Sequence, residues 1–348
     1  MVVKETRAAV LVETNASLLI KTVELPSLLY GQVLVKIFFS GVCRSQLMEV
    51  RGKRGEDAWL PHLLGHEGSG EVIAIGESVT KVAVGDKVVL GWIKGEGIEA
   101  QGAKYSCEGQ VINSGKVTTF SDYTIVSENR LVKVPEGLPL DVAVLFGCAL
   151  LTGAGMVFNE LIPSPDQSVA VIGLGGIGLS ALMALVLSGC KEIIAVDISD
   201  ERLEMAKSFG ATHVINSSSQ NAFEEVRKIT GDGVDACIES GGKIETIELG
   251  FSLIRKSGKL YFASHPPEGE FIRIAPHELI SGKQIFGSWG GGCHPDKDVP
   301  RLATNYLAGK LPLEKLITKR YSLDQINEAL NDLESGKVFR PLIEMNKV

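Results

Sequence analysis

The chain has 348 residues, 45% of them hydrophobic and 22% charged, with a formal net charge of -7. Such a composition suits two globular domains with sizeable cores, and an acidic balance without a basic cluster argues against nucleic acid or a membrane as a partner. Six cysteines (Cys43, Cys107, Cys148, Cys190, Cys237, Cys293) are dispersed with no C-x-x-C pair, so a reducing cytoplasm is expected rather than a secreted disulfide framework. The opening Met-Val-Val-Lys-Glu-Thr-Arg lacks the apolar stretch of a signal peptide.

In chain order, residues 7 to 40 alternate short β-type runs with turn signals at Asn15, Pro26 and Gly31, which predicts antiparallel hairpins. Further strands are expected near 70–75, 87–90 and 124–126, making the first part a small barrel or rolled sheet. After Leu150 the rhythm changes to strand and helix repeats. Residues 199–210 place Leu203, Ala206 and Phe209 on one helical face and end on a glycine. Strands at 213–215, 234–238 and 259–263, with a helix near 244–256, complete a doubly wound parallel sheet. The Gly290–Gly292 link then leads to helices near 298–309 and 323–335 and a closing strand at 341–345. The expected fold class is α/β, with a β-rich domain over 1–149 and 289–348 and a dinucleotide-binding Rossmann domain over 150–288.

The stretch from Ser168 to Asp197 carries the clearest chemistry. A buried strand, Ser-Val-Ala-Val-Ile, runs into Gly173-Leu174-Gly175-Gly176-Ile177-Gly178, then an apolar helix and a second strand ending on Asp197. Gly173 allows the turn, Gly175 lets backbone approach a pyrophosphate, and Gly178 lets helix and strand pack closely. The helix N-terminus offers free N–H groups to phosphate. Asp197 is spaced to accept hydrogen bonds from the adenosine ribose and to repel a 2′-phosphate, which favours NAD over NADP. The long apolar run over 169–190 is assigned to this unit rather than to a membrane span, because its glycines fall where a turn needs them.

Metal-ligand residue types stand at three places in the first half: Gly41-Val-Cys43-Arg44-Ser45-Gln46, Gly65-His66-Glu67 and Gly147-Cys148-Ala149. Each alone reads as an ordinary buried thiol or strand-end histidine. Together they form a Cys₂His set, the donor set of a catalytic zinc with one open position.

With Gly85-Asp-Lys-Val and the glycine turn, these motifs in this order make the chain resemble the zinc-dependent medium-chain dehydrogenase/reductase family, typified by alcohol dehydrogenases. The resemblance runs from the first strands to Arg340 and implies a GroES-like catalytic domain beside the Rossmann domain. It implies one catalytic Zn²⁺ held by Cys43, His66 and Cys148, with Glu67 as a transient ligand and Ser45 as the hydroxyl through which substrate passes its proton. Arg44 and Arg340 resemble pyrophosphate-binding arginines, Arg202 an adenosine-ribose contact, and Thr152 a residue behind the nicotinamide ring. The implied reaction is hydride transfer between a small-molecule alcohol and NAD. Alternatives are a zinc-free NADPH-dependent enone or quinone reductase, and a non-catalytic NAD-binding protein.

Three departures from the family pattern stand out. Only Cys107 lies where many members carry a four-cysteine structural zinc lobe, so a second zinc is not expected. Gln46 replaces the aspartate that usually partners the zinc histidine, and Met48 falls near the position of a relay histidine. The charged run Arg51-Gly-Lys-Arg-Gly-Glu-Asp57 lies where the family places residues at the mouth of the substrate cleft, and Asn113-Ser114 replaces bulky apolar residues. Both suggest a polar substrate such as a polyol, sugar or cyclitol derivative. The apolar strand at 283–289 ends the expected sheet, and its edge suggests a homodimer or homotetramer.

Overall fold

The computed structural model describes residues 3–345. The chain divides into two compact units, Met1–Cys148 with His294–Val348, and Ala149–Cys293. It is an α/β protein with a GroES-like β-rich unit and a doubly wound Rossmann unit.

The first unit holds a closed five-stranded barrel and a seven-stranded sheet. The barrel runs Glu5–Leu11, Leu19–Glu24, Lys104–Cys107, Gln110–Asn113 and His62–Leu63. In the second sheet the long strand Gln32–Gly41 pairs with Glu67–Ile75, Tyr123–Ser127 and the closing strand Arg340–Glu344. Side chains alternate faces along a strand, and here both faces are buried. Val33, Val35 and Ile37 enter one core with Ala9 and Leu11, while Leu34 enters another with Ala8 and Val10.

The second unit carries six parallel strands in the spatial order third, second, first, fourth, fifth, sixth. In chain order they are Ser168–Ile172, Glu192–Asp197, His213–Asn216, Val234–Glu239, Ile254–Phe262 and Gln284–Gly287. Every residue of Ser168–Ile172 is buried, as expected of a parallel strand covered on both faces. The strand order reverses between the first and fourth strands, and in such sheets that crevice is where ligands bind. Among the described residues no single helix is long and apolar enough to cross a membrane.

Two elements differ from the sequence reading. The helix expected to reach 256 stops at Leu253, and Ile254 begins a strand. Arg255 Nε donates to Asp235 Oδ1 at 2.8 Å, drawing 254–256 alongside the fourth strand. The hairpin Lys104–Cys107 with Gln110–Asn113 was not anticipated. Its turn places Glu108 and Gly109 at φ of 53° and 80°, the conformation of a tight hairpin, but Glu is a weak signal for it.

One carboxylate ties the segments at 80–81 and 98 together. Glu128 is buried. Its Oε1 accepts from the N–H groups of Thr80 and Lys81, and its Oε2 from that of Ile98, all at 2.7 Å. Burial pushes the Glu128 carboxyl up, but these three bonds outweigh it and hold its pKa below the usual value. Glu128→Gln would leave the Ile98 N–H facing an amide nitrogen and should cost about 1.5–3 kcal/mol at neutral pH. A depressed carboxylate stabilises above its unfolded pKa, near 4.3, and loses that contribution as pH falls through the folded value. Urea unfolding should therefore show a gap between wild type and variant that is constant from pH 5 to 7 and narrows in more acid solution. A gap that does not narrow in acid would refute the ionised reading.

Candidate active site

The first unit brings Cys43, His66 and Cys148 together from three separate elements. Cys43 caps the helix Arg44–Val50 at the end of the long strand, His66 precedes the strand Glu67–Ile75, and Cys148 follows the turn Val144–Gly147. Gly65 has φ of 89°, and a Cβ there would sit 2.4 Å from Thr119 Oγ1, so only glycine delivers His66 to this point. One ligand atom from each of the three residues lies within 4.8 Å of the others. The two sulfurs are 3.9 Å apart, and His66 Nε2 is 3.2 Å from Cys148 Sγ. Tetrahedral zinc, with bonds of about 2.3 Å to sulfur and 2.0 Å to nitrogen, sets these edges at about 3.8 and 3.6 Å. The residues therefore fit a zinc ion with an open fourth position.

The electrostatics favour a cation there. The Cys43 thiol is held well below its ordinary pKa, chiefly because Cys148 donates to it, with help from His66 and Arg340. Cys148 is pushed up, first by its hydrogen bond to Cys43 and then by burial and its neighbour's charge. Gln46 Nε2 contacts His66 Nδ1, and Gln46 Oε1 accepts from the Cys43 N–H at 3.2 Å. Coordination through Nε2 would put the imidazole proton on Nδ1, and a half-turn of the Gln46 amide would present its oxygen to that proton. A neutral amide in this position makes the imidazole less basic than a carboxylate would.

Below the cluster lies a buried ion pair that the sequence reading did not connect. Glu67 is fully buried, and Arg340 Nη2 donates to both of its oxygens, 2.6 Å to Oε1. Burial pushes the Glu67 carboxyl up, and Arg340 opposes that shift. Burial alone would lower the Arg340 pKa, but the negative charges of Glu67 and Cys43 raise it above the ordinary value. Nothing local in the sequence links residues so far apart. Ser45 Oγ is buried without a hydrogen-bond partner among the described residues, whereas Arg44 is exposed.

In the charged run, Arg51 donates to Glu334 at 2.7 Å and to Asn331, tying the loop to the helix Ile326–Glu334. Arg54 lies 3.5 Å from Glu49, and Asp57 accepts from His62 at 2.8 Å. Lys53 and Glu56 remain exposed. Most of the loop's charge is thus committed to contacts within the chain.

In the second unit the glycine turn has the shape its residues imply. Gly173 has φ of 82°, a Cβ on Gly178 would lie 1.9 Å from Gly173 O, and a Cβ on Gly175 would meet only open space. The first two positions are closed by the protein itself, and the third leaves room for a ligand. Gly176 and Ile177 open the helix Gly176–Leu187. Asp197 accepts from the N–H groups of Leu174 (2.6 Å), Ile198 (2.8 Å) and Ser199 (3.0 Å), and Arg202 Nη1 is 4.0 Å from its carboxylate. Thr152 is buried in the helix Ala149–Gly155, which lies so close to the next that a Cβ on Gly153 would come within 2.2 Å of Ile177 O.

Known proteins match this architecture. A family model described as zinc-binding dehydrogenase matches residues 176–307, and one described as alcohol dehydrogenase GroES-like domain matches 30–136. A benzyl alcohol dehydrogenase from Acinetobacter calcoaceticus is 32% identical with a TM-score of 0.90, covering 99% of this chain and 100% of its own. An alcohol dehydrogenase zinc-binding domain protein from Burkholderia ambifaria is 30% identical with a TM-score of 0.91, covering 99% and 100%. A 2R,3R-butanediol dehydrogenase from Bacillus subtilis is 26% identical with a TM-score of 0.79, covering 98% and 100%. The chain belongs to the medium-chain dehydrogenase/reductase family. Its chemistry is that of an oxidoreductase of the alcohol dehydrogenase type.

Arg340→Met would leave Glu67 buried and uncompensated, which should cost about 3–5 kcal/mol. The double variant Glu67→Gln with Arg340→Met should recover part of that loss. Chemical denaturation of the single and double variants checks this, and equal stability of wild type and Arg340→Met would contradict it.

Proposed function

We propose that the protein is a zinc-dependent, NAD-linked alcohol dehydrogenase that interconverts a small-molecule alcohol and its carbonyl compound. The observation that carries this reading is the half-buried Cys43, His66 and Cys148 cluster, whose sulfur–sulfur and sulfur–nitrogen distances suit a tetrahedral ion. When bound, zinc makes an alcohol hydroxyl acidic enough to ionise near neutral pH and NAD accepts the hydride. Cys43, His66 and Cys148 hold the metal, and Glu67 stands ready beside it with its charge balanced by Arg340. The orphaned Ser45 Oγ is free to take the hydroxyl proton from substrate and pass it on. With Met48 in place of a relay histidine, that proton leaves by way of the ribose or water.

On the dinucleotide side, Gly175, Gly176 and Ile177 offer the pyrophosphate their N–H groups and the open space at Gly175. Arg44 supplies an additional cation to it, and Thr152 backs the nicotinamide. A carboxylate has about four acceptor positions, so the three N–H bonds to Asp197 fix its direction and leave room for one ribose hydroxyl. Its charge excludes a 2′-phosphate, and Arg202 lies alongside for the ribose. Arg340 contributes to phosphate binding only through what its pairing with Glu67 leaves over. For the substrate, the internal pairing of Arg51, Arg54 and Asp57 leaves fewer groups for extra hydroxyls and favours a less polar alcohol over a polyol or sugar. The six dispersed cysteines, with no C-x-x-C pair, suit a reducing cytoplasm, and the exposed Phe286 on the edge strand suits a homodimer or homotetramer.

Purified protein should contain about one zinc per chain and reduce NAD in the presence of benzyl alcohol faster than with sorbitol. Turnover of enones with NADPH by metal-free protein would instead establish a zinc-free reductase. Ser45→Ala should lower kcat by about 10²-fold while retaining zinc, as loss of a positioned proton carrier does. Asp197→Ser should narrow the preference for NAD over NADP, read as the ratio of their kcat/KM values. An unchanged ratio would remove Asp197 from cofactor selection.

A further inference from the structure

The fourth strand of the Rossmann sheet ends on Glu239, which is fully buried and lies outside every motif considered so far. Its Oε1 accepts from the N–H groups of Gly241 at 2.6 Å and Gly242 at 3.1 Å, and from Thr246 Oγ1 at 2.7 Å. Its Oε2 accepts from Ser264 Oγ. Three donors thus converge on one carboxylate oxygen and a fourth meets the other. They come from the turn after the fourth strand, the first turn of the helix Ile244–Leu253, and the segment after the fifth strand.

That turn is locked to the glycine turn. Ser240 Oγ donates to Gly173 O at 2.6 Å, and Ser240 N to Ile172 O at 2.9 Å. A Cβ on Gly173 would lie 2.6 Å from Gly241 N, and one on Gly178 would lie 2.8 Å from Ser240 Oγ. The two turns follow the first and fourth strands, the pair between which the strand order reverses. Whatever sets the position of Ser240–Gly242 therefore sets one wall of the crevice where a dinucleotide would lie.

We propose that Glu239 is a positioning residue for the dinucleotide, acting through the Ser240–Gly242 turn and not by touching the cofactor's reacting atoms. This rests on the dinucleotide reading of the glycine turn. Glu239→Gln keeps the shape; its Nε2 can sit toward Ser264, whose hydroxyl then accepts instead of donating, while the charge-assisted bonds from Gly241, Gly242 and Thr246 to Oε1 become weaker neutral ones and the turn loosens against Gly173.

The test uses the full-length zinc-loaded protein, with NADH affinity read by fluorescence and steady-state kinetics run with NAD and benzyl alcohol. Glu239→Gln should weaken NADH binding and raise the KM for NAD by about tenfold, the effect of exchanging charge-assisted buried hydrogen bonds for neutral ones. The KM for the alcohol should be unchanged, and kcat at saturating NAD within about twofold of wild type. Thr246→Val, which removes one donor and keeps the shape, should raise the same KM by about threefold, and it carries the test if Glu239→Gln fails to fold. Lowered thermal stability with unchanged dinucleotide affinity in these variants would overturn the positioning role alone. Wild-type protein that binds neither NAD nor NADH would overturn the dinucleotide reading and this proposal together.

Discussion

The Glu67–Arg340 ion pair is the constraint on which the first unit turns. A fully buried carboxylate is costly unless paired, and its partner comes from the strand Arg340–Glu344, near the other end of the chain. That strand pairs with Gln32–Gly41, and Gln32–Gly41 pairs in turn with the strand that Glu67 begins. The pair is thus clamped by the same sheet that delivers Cys43 and His66. Removing Arg340 would leave a buried carboxylate beneath the cluster that must take up a proton or find another cation. The ordering of the sheet and the chemistry of the cluster are one problem solved once.

The second unit solves a related problem without a cation. Glu239 is equally buried, yet its four partners are N–H and hydroxyl groups, two of them at the positive end of a short helix. Dipoles fixed in place can hold an anion where the protein keeps a nearby crevice open for another one. Asp197, at the end of the second strand, is likewise held by three backbone N–H groups, with Arg202 4.0 Å away as an added cation. In both cases the backbone holds the acid, and the acid in turn holds the backbone of a turn.

Much of this was legible in the sequence because it depends on local rules. The glycine turn, its flanking strand and helix, and the acid at the next strand's end are all set by neighbours a few residues away, and all were found where expected. The first-half strands at 7–11, 32–37 and 70–75 are readable from β-branched and apolar runs, and the structure extends the last two to Gly41 and back to Glu67. The hairpin at 104–113 was not, since its strands are short and polar and its turn uses Glu108 at positive φ. The start of the fifth strand at Ile254 was missed because an ion pair to Asp235 decides it, and such a contact has no signature within a window of sequence. The same holds for Glu67 with Arg340 and for the commitment of Arg51 to Glu334.

The charged loop shows how composition misleads when pairing is unseen. Arg51, Lys53, Arg54, Glu56 and Asp57 read as a polar lining when taken as a list. Once Arg51 is tied to Glu334, Arg54 to Glu49 and Asp57 to His62, the loop becomes a braced segment with two exposed charges, Lys53 and Glu56. Moving it would break several contacts at once, so most of its charge serves to hold the loop in place.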